Sequence, residues 1–219
     1  MIDFIQSETQ FFIFCLTTLF TLINPIGIAP LLLVMTERFS KQEKINITWK
    51  GSFTAFFTLI LFSILGSVIF NVFGITIEAF QIMGGILFFR NGIRMLEIKV
   101  GRSRTTPAEQ EESQESDDIA ISPIGIPLIA GPGAITAAML LSSQTQKFYS
   151  YVTLGLSIFL VLSLVYLILR NGNVLMNVLG TTGMRIIQRL MGLILLVIAV
   201  QFVINGVVSV ITPLISPSF

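Results

Sequence analysis

The sequence predicts an all-α, polytopic membrane protein with six transmembrane helices, arranged as two inverted three-helix repeats in which helices 1 and 4 are broken. Three observations carry that expectation. Of the 219 residues, 53% are hydrophobic and only 11% are charged, with a mean hydropathy of +0.88, whereas a soluble domain needs roughly 25% charged residues. Six apolar runs approach the roughly 20 residues that a membrane-crossing helix requires. A proline–glycine motif recurs in the first and fourth of those runs. The formal net charge of +1 offers no field for a nucleic acid. There is no histidine, and Cys15 is the only cysteine. A Cys/His zinc site, a Ser-His-Asp triad, a Cys-His dyad and an intrachain disulfide are therefore excluded within one chain. No cofactor and no enzymatic activity are expected, and Cys15 reads as a small packing residue.

Taken in order, the first run covers residues 11–35 and is interrupted at Asn24-Pro25. The first basic residue is Arg38, so the basic n-region of a secretory signal is missing and this run is expected to stay as a helix. The second run covers residues 53–73. The third, residues 75–96, is the most polar, with Glu78, Arg90, Asn91 and Arg94. The fourth, residues 119–141, contains Pro123, Pro127 and Pro132. The fifth and sixth cover residues 151–169 and 190–211. Six crossings divide the Lys and Arg residues 11 to 1 between the two sides, with Arg90 left inside a run. The positive-inside bias then places both termini outside the cytoplasm and the three basic loops within it. Residues 1–98 form the first repeat and residues 119–219 the second. Residues 99–118 hold six of the 12 acidic residues and read as a solvated cytoplasmic linker.

The halves echo each other. Asn24-Pro25-Ile26-Gly27-Ile28 is answered 98 residues later by Ser122-Pro123-Ile124-Gly125-Ile126, and Ile82-Met83-Gly84-Gly85-Ile86-Leu87 by Leu190-Met191-Gly192-Leu193-Ile194-Leu195. An odd number of spans per half turns the second half over in the bilayer, an architecture that recurs in secondary transporters. Proline removes an intrahelical bond and clashes with the preceding turn. The interruptions therefore fall at Asn24-Pro25, Gly27 and Pro30, and again at Ser122-Pro123, Gly125, Pro127 and Gly131-Pro132-Gly133. Proline kinks satisfied by neighbouring helices are the plain reading of one such motif, whereas two at matched positions favour a central solute site. A half-helix that starts at such a break presents bare N–H groups and a partial positive charge, suited to a carboxylate, while freed carbonyls suit an ammonium or a small cation. The candidate solute-binding residues are Thr21, Asn24, Pro25 and Gly27 in the first motif, and Ser122, Pro123, Gly125, Gly131, Pro132, Gly133 and Thr136 in the second. Arg90 joins them because a charge at that depth pairs with Glu78, meets an opened carbonyl or faces solute.

The Asn24-Pro25-Ile26-Gly27 and Pro30 motif, the Ser122-Pro123 and Pro127-Leu128-Ile129-Ala130-Gly131-Pro132-Gly133 stretch, Gly84-Gly85-Ile86-Leu87, Arg189-Leu190-Met191-Gly192-Leu193 and Val200-Gln201-Phe202 together resemble the MarC family of integral membrane proteins. The resemblance spans nearly the whole chain, and the chain departs from the family pattern at Arg90 and Asn91. It implies a multi-pass inner (plasma) membrane protein and, from members described as transporters, a small neutral amino acid as solute. The expected partners are that solute, with sodium or protons as candidate coupling ions, and the lipid bilayer; Gly84-Gly85 and Gly192 allow close helix approach, either within the monomer or across a homo-oligomer. The alternative is a membrane scaffold or stress-related protein that works through the acidic linker.

Overall fold

The computed structural model describes residues 2–97, 120–145 and 148–215, and among them every regular element is helical. The acidic linker lies outside the described residues. Eight helices follow in chain order: α1 (Ile2–Ile23), α2 (Pro25–Met35), α3 (Lys41–Phe73), α4 (Ile77–Glu97), α5 (Ala120–Ile129), α6 (Pro132–Ser143), α7 (Phe148–Arg170) and α8 (Gly172–Ile215). Four stretches, Glu8–Met35, Lys41–Gly66, Phe148–Arg170 and Gly172–Thr212, are long and apolar enough to cross a membrane. The α5–α6 pair, bent by 62°, makes a fifth if it counts as one span. The run expected at residues 75–96 forms α4 but falls short of that standard, because Glu78, Arg90, Arg94 and Glu97 lower its apolarity.

Several helices extend beyond their apolar runs, because capping rather than hydropathy sets their ends. Helix α3 begins at Lys41 instead of residue 53. Ser40 and Glu43 form a reciprocal capping box there, with Ser40 N–H donating to Glu43 Oε2 at 2.8 Å and Glu43 N–H to Ser40 Oγ at 3.4 Å. The same helix stops at Gly74, whose φ of 62° is open to glycine and strained for other residues. The stretch between the fifth and sixth runs is helical too. Helix α8 starts at Gly172 and bends at Gly180, which has φ 60° and ψ −179°.

The bundle is organised by glycine. Helix α4 lies along α8, and a Cβ on Gly85 would sit 2.7 Å from the Ala199 carbonyl oxygen, one on Gly92 3.0 Å from that of Gly192, and one on Gly206 2.9 Å from that of Glu78. Helix α3 crosses α5 in the same manner, since a Cβ on Gly51 would sit 3.1 Å from the Ala120 carbonyl oxygen. Leu19, Phe88, Ile124, Leu141, Ile158 and Phe202 fill the core. On the other side of the helices Phe57, Leu61, Leu156, Leu164, Leu193 and Val197 are exposed, an apolar surface fit for lipid tails. Trp49 stacks on Phe53 and meets Tyr166 edge-on, and the Arg170 guanidinium lies 5.9 Å from the Tyr166 ring centroid. Such aromatic and basic clusters favour the headgroup level of a bilayer.

Candidate functional site

The first break is built by one residue. Asn24 adopts the left-handed region (φ 50°, ψ 61°), which asparagine tolerates better than most residues. Its N–H donates to the Phe20 carbonyl at 2.9 Å and ends α1, while its own carbonyl accepts from Gly27 N–H at 2.9 Å and Ile28 N–H at 3.1 Å and starts α2. The side-chain Oδ1 accepts a further bond from Gly27 N–H at 3.1 Å. Pro25 follows at the first helical position, where its missing N–H costs nothing. Gly27 is needed because the Asn24 side chain occupies the place of its Cβ. Pro25 and Pro30 also leave the Thr21 and Ile26 carbonyls without their helical donors.

The second break lies later than the repeated motif suggests. In α5, Ser122 (φ −134°, ψ 125°) and Ile126 (φ −132°, ψ 124°) are extended. Each precedes a proline, whose ring disfavours the helical conformation at the residue before it. Ala130 N–H reaches back to the Gly125 carbonyl at 2.9 Å, a π-type bond. The helix then restarts with Gly131 (φ −72°, ψ 167°) as its cap and Pro132 at its first position. Gly131-Pro132 therefore matches Asn24-Pro25 in position, as cap and first residue of a restarted helix, and the spacing is 107 residues, not the 98 of Ser122-Pro123. The two starts differ in cap backbone, left-handed at Asn24 and extended at Gly131, and in capping. Asn24 caps α2 with its side chain, whereas α6 has no side-chain cap, and the N–H groups of its buried first turn belong to Gly133 and Ala134.

The tertiary structure brings both breaks together. A Cβ on Gly133 would sit 3.2 Å from Asn91 Nδ2 of α4 and 3.3 Å from Leu22 Cδ2 of α1, so the start of α6, Asn91 and the last turn before Asn24 share one junction. Thr136 is buried on the next turn, with its methyl 3.2 Å from the position of a Gly84 Cβ. Thr21 is buried with its hydroxyl 4.0 Å from Met191 Sδ of α8. Of the residues nominated from sequence, Thr21, Asn24, Pro25 and Gly27 lie at the first break and Gly131, Pro132, Gly133 and Thr136 at the second. Ser122 is exposed and Gly125 packs on Thr54 of α3, both one segment away from the junction; the side chain of Pro123 lies outside the described residues. Arg90 is exposed on α4, while its neighbour Asn91 faces inward.

Four polar residues escaped the sequence reading. Asn91 was noted only beside Arg90. Gln188 fell in a stretch read as a loop, yet it is buried one turn before Met191. Thr18 is buried one turn before Thr21. Thr18 Oγ1 and Gln188 Oε1 have no hydrogen-bond partner among the described residues. Glu8 precedes the first apolar run but belongs to α1, where its carboxylate accepts from Ser150 Oγ and Thr153 Oγ1 of α7, each at 3.1 Å. Their signal is a polar residue at helical spacing from a small or hydroxyl residue, which hydropathy averages away.

A family profile described as MarC family integral membrane protein matches residues 9–211. The chain belongs to the MarC family. It is 35% identical over 204 residues to a UPF0056 membrane protein of Methanocaldococcus jannaschii, covering 91% of this chain and 97% of that one. It is also 35% identical over 198 residues to the UPF0056 membrane protein YvbG of Bacillus subtilis, covering 90% and 94%, and 32% identical over 206 residues to one from Aquifex aeolicus, covering 94% and 96%. No solved structure matches. Membership of the MarC family makes this an integral, multi-pass membrane protein, in keeping with its several long apolar helices.

Proposed function

We propose that this MarC family member is a secondary transporter of small neutral amino acids or similar zwitterionic metabolites. It works by alternating access of two inverted halves in the cell membrane, with α4 completing six spans and both termini outside. The observation that carries this reading is the junction of two helix breaks at Gly133, Asn91 and Leu22. A solute carboxylate is matched there by the uncapped Gly133 and Ala134 N–H groups and the Asn91 amide, with the partial positive charge of α6 behind them. An ammonium is matched by the carbonyls freed at Thr21 and Ile26. The unpartnered Gln188 Oε1 and Thr18 hydroxyl, each one turn from the Thr21–Met191 contact, add polar capacity on the same side.

The inverted repeat draws support from contacts that stay the same when the halves are exchanged. Helix α1 lies against α7 and α5 against α3, α2 against α8 and α6 against α4, and α3–α7 and α4–α8 meet across the halves. At a spacing of 107 residues, Gly85 against the Ala199 carbonyl becomes Gly192 against the Gly92 carbonyl, and both contacts are present. Gln81 and Gln188, both buried, stand at the same spacing. Alternating access requires seams between halves that open, and Glu8 bridges one of them to Ser150 and Thr153.

Counterflow of labelled small neutral amino acids into proteoliposomes, with and without sodium and pH gradients, tests the function. At least one of them is expected to exchange. Folded protein that moves none of them under any gradient would end this reading.

Glu8 yields a separate expectation. Charge-assisted bonds contribute about 1.5–3 kcal/mol each, and Cys15, fully buried two turns further along α1 and beside Ser157, reports on the same seam. In Glu8→Ala the rate of Cys15 alkylation by a small water-soluble thiol reagent should rise about tenfold or more. Equal rates in wild type and variant would show that Glu8 does not hold the seam.

A further inference from the structure

Away from the junction, at the end of α3 remote from its basic first turn, the structure holds a half-open cavity of about 350 Å³. It is walled by Phe70 and Asn71 at the end of α3, Ile75, Thr76, Ile77 and Glu78 at the start of α4, Ser142 and Ser143 at the end of α6, and Tyr151 on α7. Negative charge at this place comes from Glu78 and from two helix ends. Helices α3 and α6 both end here, and a helix C-terminus carries a partial negative charge. Glu78 is the one charged group among the described lining residues. Helices α4 and α7 start here, with the opposite partial charge, and Thr76 Oγ1 already accepts from the Ala79 N–H of α4 at 3.2 Å. The cavity is held in shape, because Ser142 donates its hydroxyl to the Ser63 carbonyl of α3 and the Phe70 ring packs at a tilt against Phe80, with centroids 4.7 Å apart.

We propose that this cavity is a binding site for a small organic ammonium. A bare metal ion would leave most of the volume empty, and the wall is mixed. Glu78, Asn71, Ser143 and the Tyr151 hydroxyl suit a cationic head, whereas Phe70, Ile75 and Ile77 suit a short apolar tail. Aromatic faces add to cation binding where water is partly excluded. Helix α6 then runs from the junction, where its positive end suits a carboxylate, to this cavity, where its negative end suits an amine. The site is distinct from the junction, and its occupancy is measured at equilibrium without transport, so failure here leaves the transport reading untouched and the reverse also holds.

The test is equilibrium dialysis of labelled n-propylammonium against the purified full chain in detergent, with labelled propionate as the anionic control. Wild type is expected to bind the amine saturably and not the propionate. Glu78→Gln should weaken binding about tenfold or more, as the loss of a charged partner implies. Ile75→Trp, which fills the cavity and keeps the carboxylate, should abolish binding, while Gly155→Ala, one turn further along α7 and with nothing within 4 Å of its Cβ position, should bind as wild type does. Non-saturable amine uptake, or equal binding by wild type and both cavity variants, overturns the proposal. So does displacement of the amine by sodium chloride at matching concentration while potassium chloride has no effect, which would make the cavity a sodium site.

Discussion

Gly85→Ala is expected to lower the stability of the bundle by about 1–3 kcal/mol, the usual effect of forcing an extra carbon into a well-packed interior. The added Cβ would lie 2.6 Å from Val203 Cγ2, 2.7 Å from the Ala199 carbonyl oxygen and 3.1 Å from Val203 N. Two of those atoms are backbone, so a rotamer change cannot relieve the clash and α4 must move off α8. Gly155→Ala is the matched control, since nothing lies within 4 Å of its Cβ position. Replacing a half-buried mid-helix glycine that has open space at its Cβ position should stabilise by about 0.5–1 kcal/mol. Thermal midpoints in one detergent, read by size-exclusion recovery, should therefore move in opposite directions. A Gly85→Ala midpoint at or above wild type would mean that the α4–α8 seam is looser than described.

The second large effect is expected at Asn24. Alanine there loses the side-chain cap, worth about 1 kcal/mol, and meets the left-handed backbone at a further 1–2 kcal/mol or so. Glycine loses the cap but accepts the conformation. Stability should fall in the order Asn24, Asn24→Gly, Asn24→Ala. Counterflow should follow the same order, with Asn24→Ala reduced about tenfold or more, because misaiming the α2 start disturbs the junction. Thermal midpoints and exchange rates on the same preparations check both orders. If glycine and alanine abolish exchange equally while both proteins stay as stable as wild type, the Asn24 side chain acts on solute directly.

Much of the fold is legible in the chain because its signals are local. Apolar runs announce the long helices, and a proline constrains its own residue and the one before it, which is why Ser122, Ile126 and Gly131 are all extended. Capping moved the boundaries, as the Ser40–Glu43 box did for α3. The recurring proline–glycine motif is legible, but which of its prolines restarts a helix is not. Ser122-Pro123 resembles Asn24-Pro25 in letters, whereas Gly131-Pro132 shares its place as cap and first residue of a restarted helix. Span 3 was the hardest to read. Helix α4 carries charges at both ends and relies on Gly84, Gly85 and Gly92 to lie close against α6 and α8.

The candidate site divides along the same line. Sequence alone determined that this is an α-helical membrane protein, that ionisable chemistry is scarce within it, and that two of its helices break at proline–glycine motifs. Each of these depends on composition or on the sterics of adjacent residues. Tertiary structure alone decided that the breaks meet, that Asn91 and not Arg90 faces the junction, that Gln188 Oε1 and Thr18 Oγ1 are buried without partners among the described residues, and that Glu8 reaches α7. Those facts concern residues far apart in the chain, and nothing in the local pattern encodes which helix faces come together. The close approach of backbones at glycine made that choice.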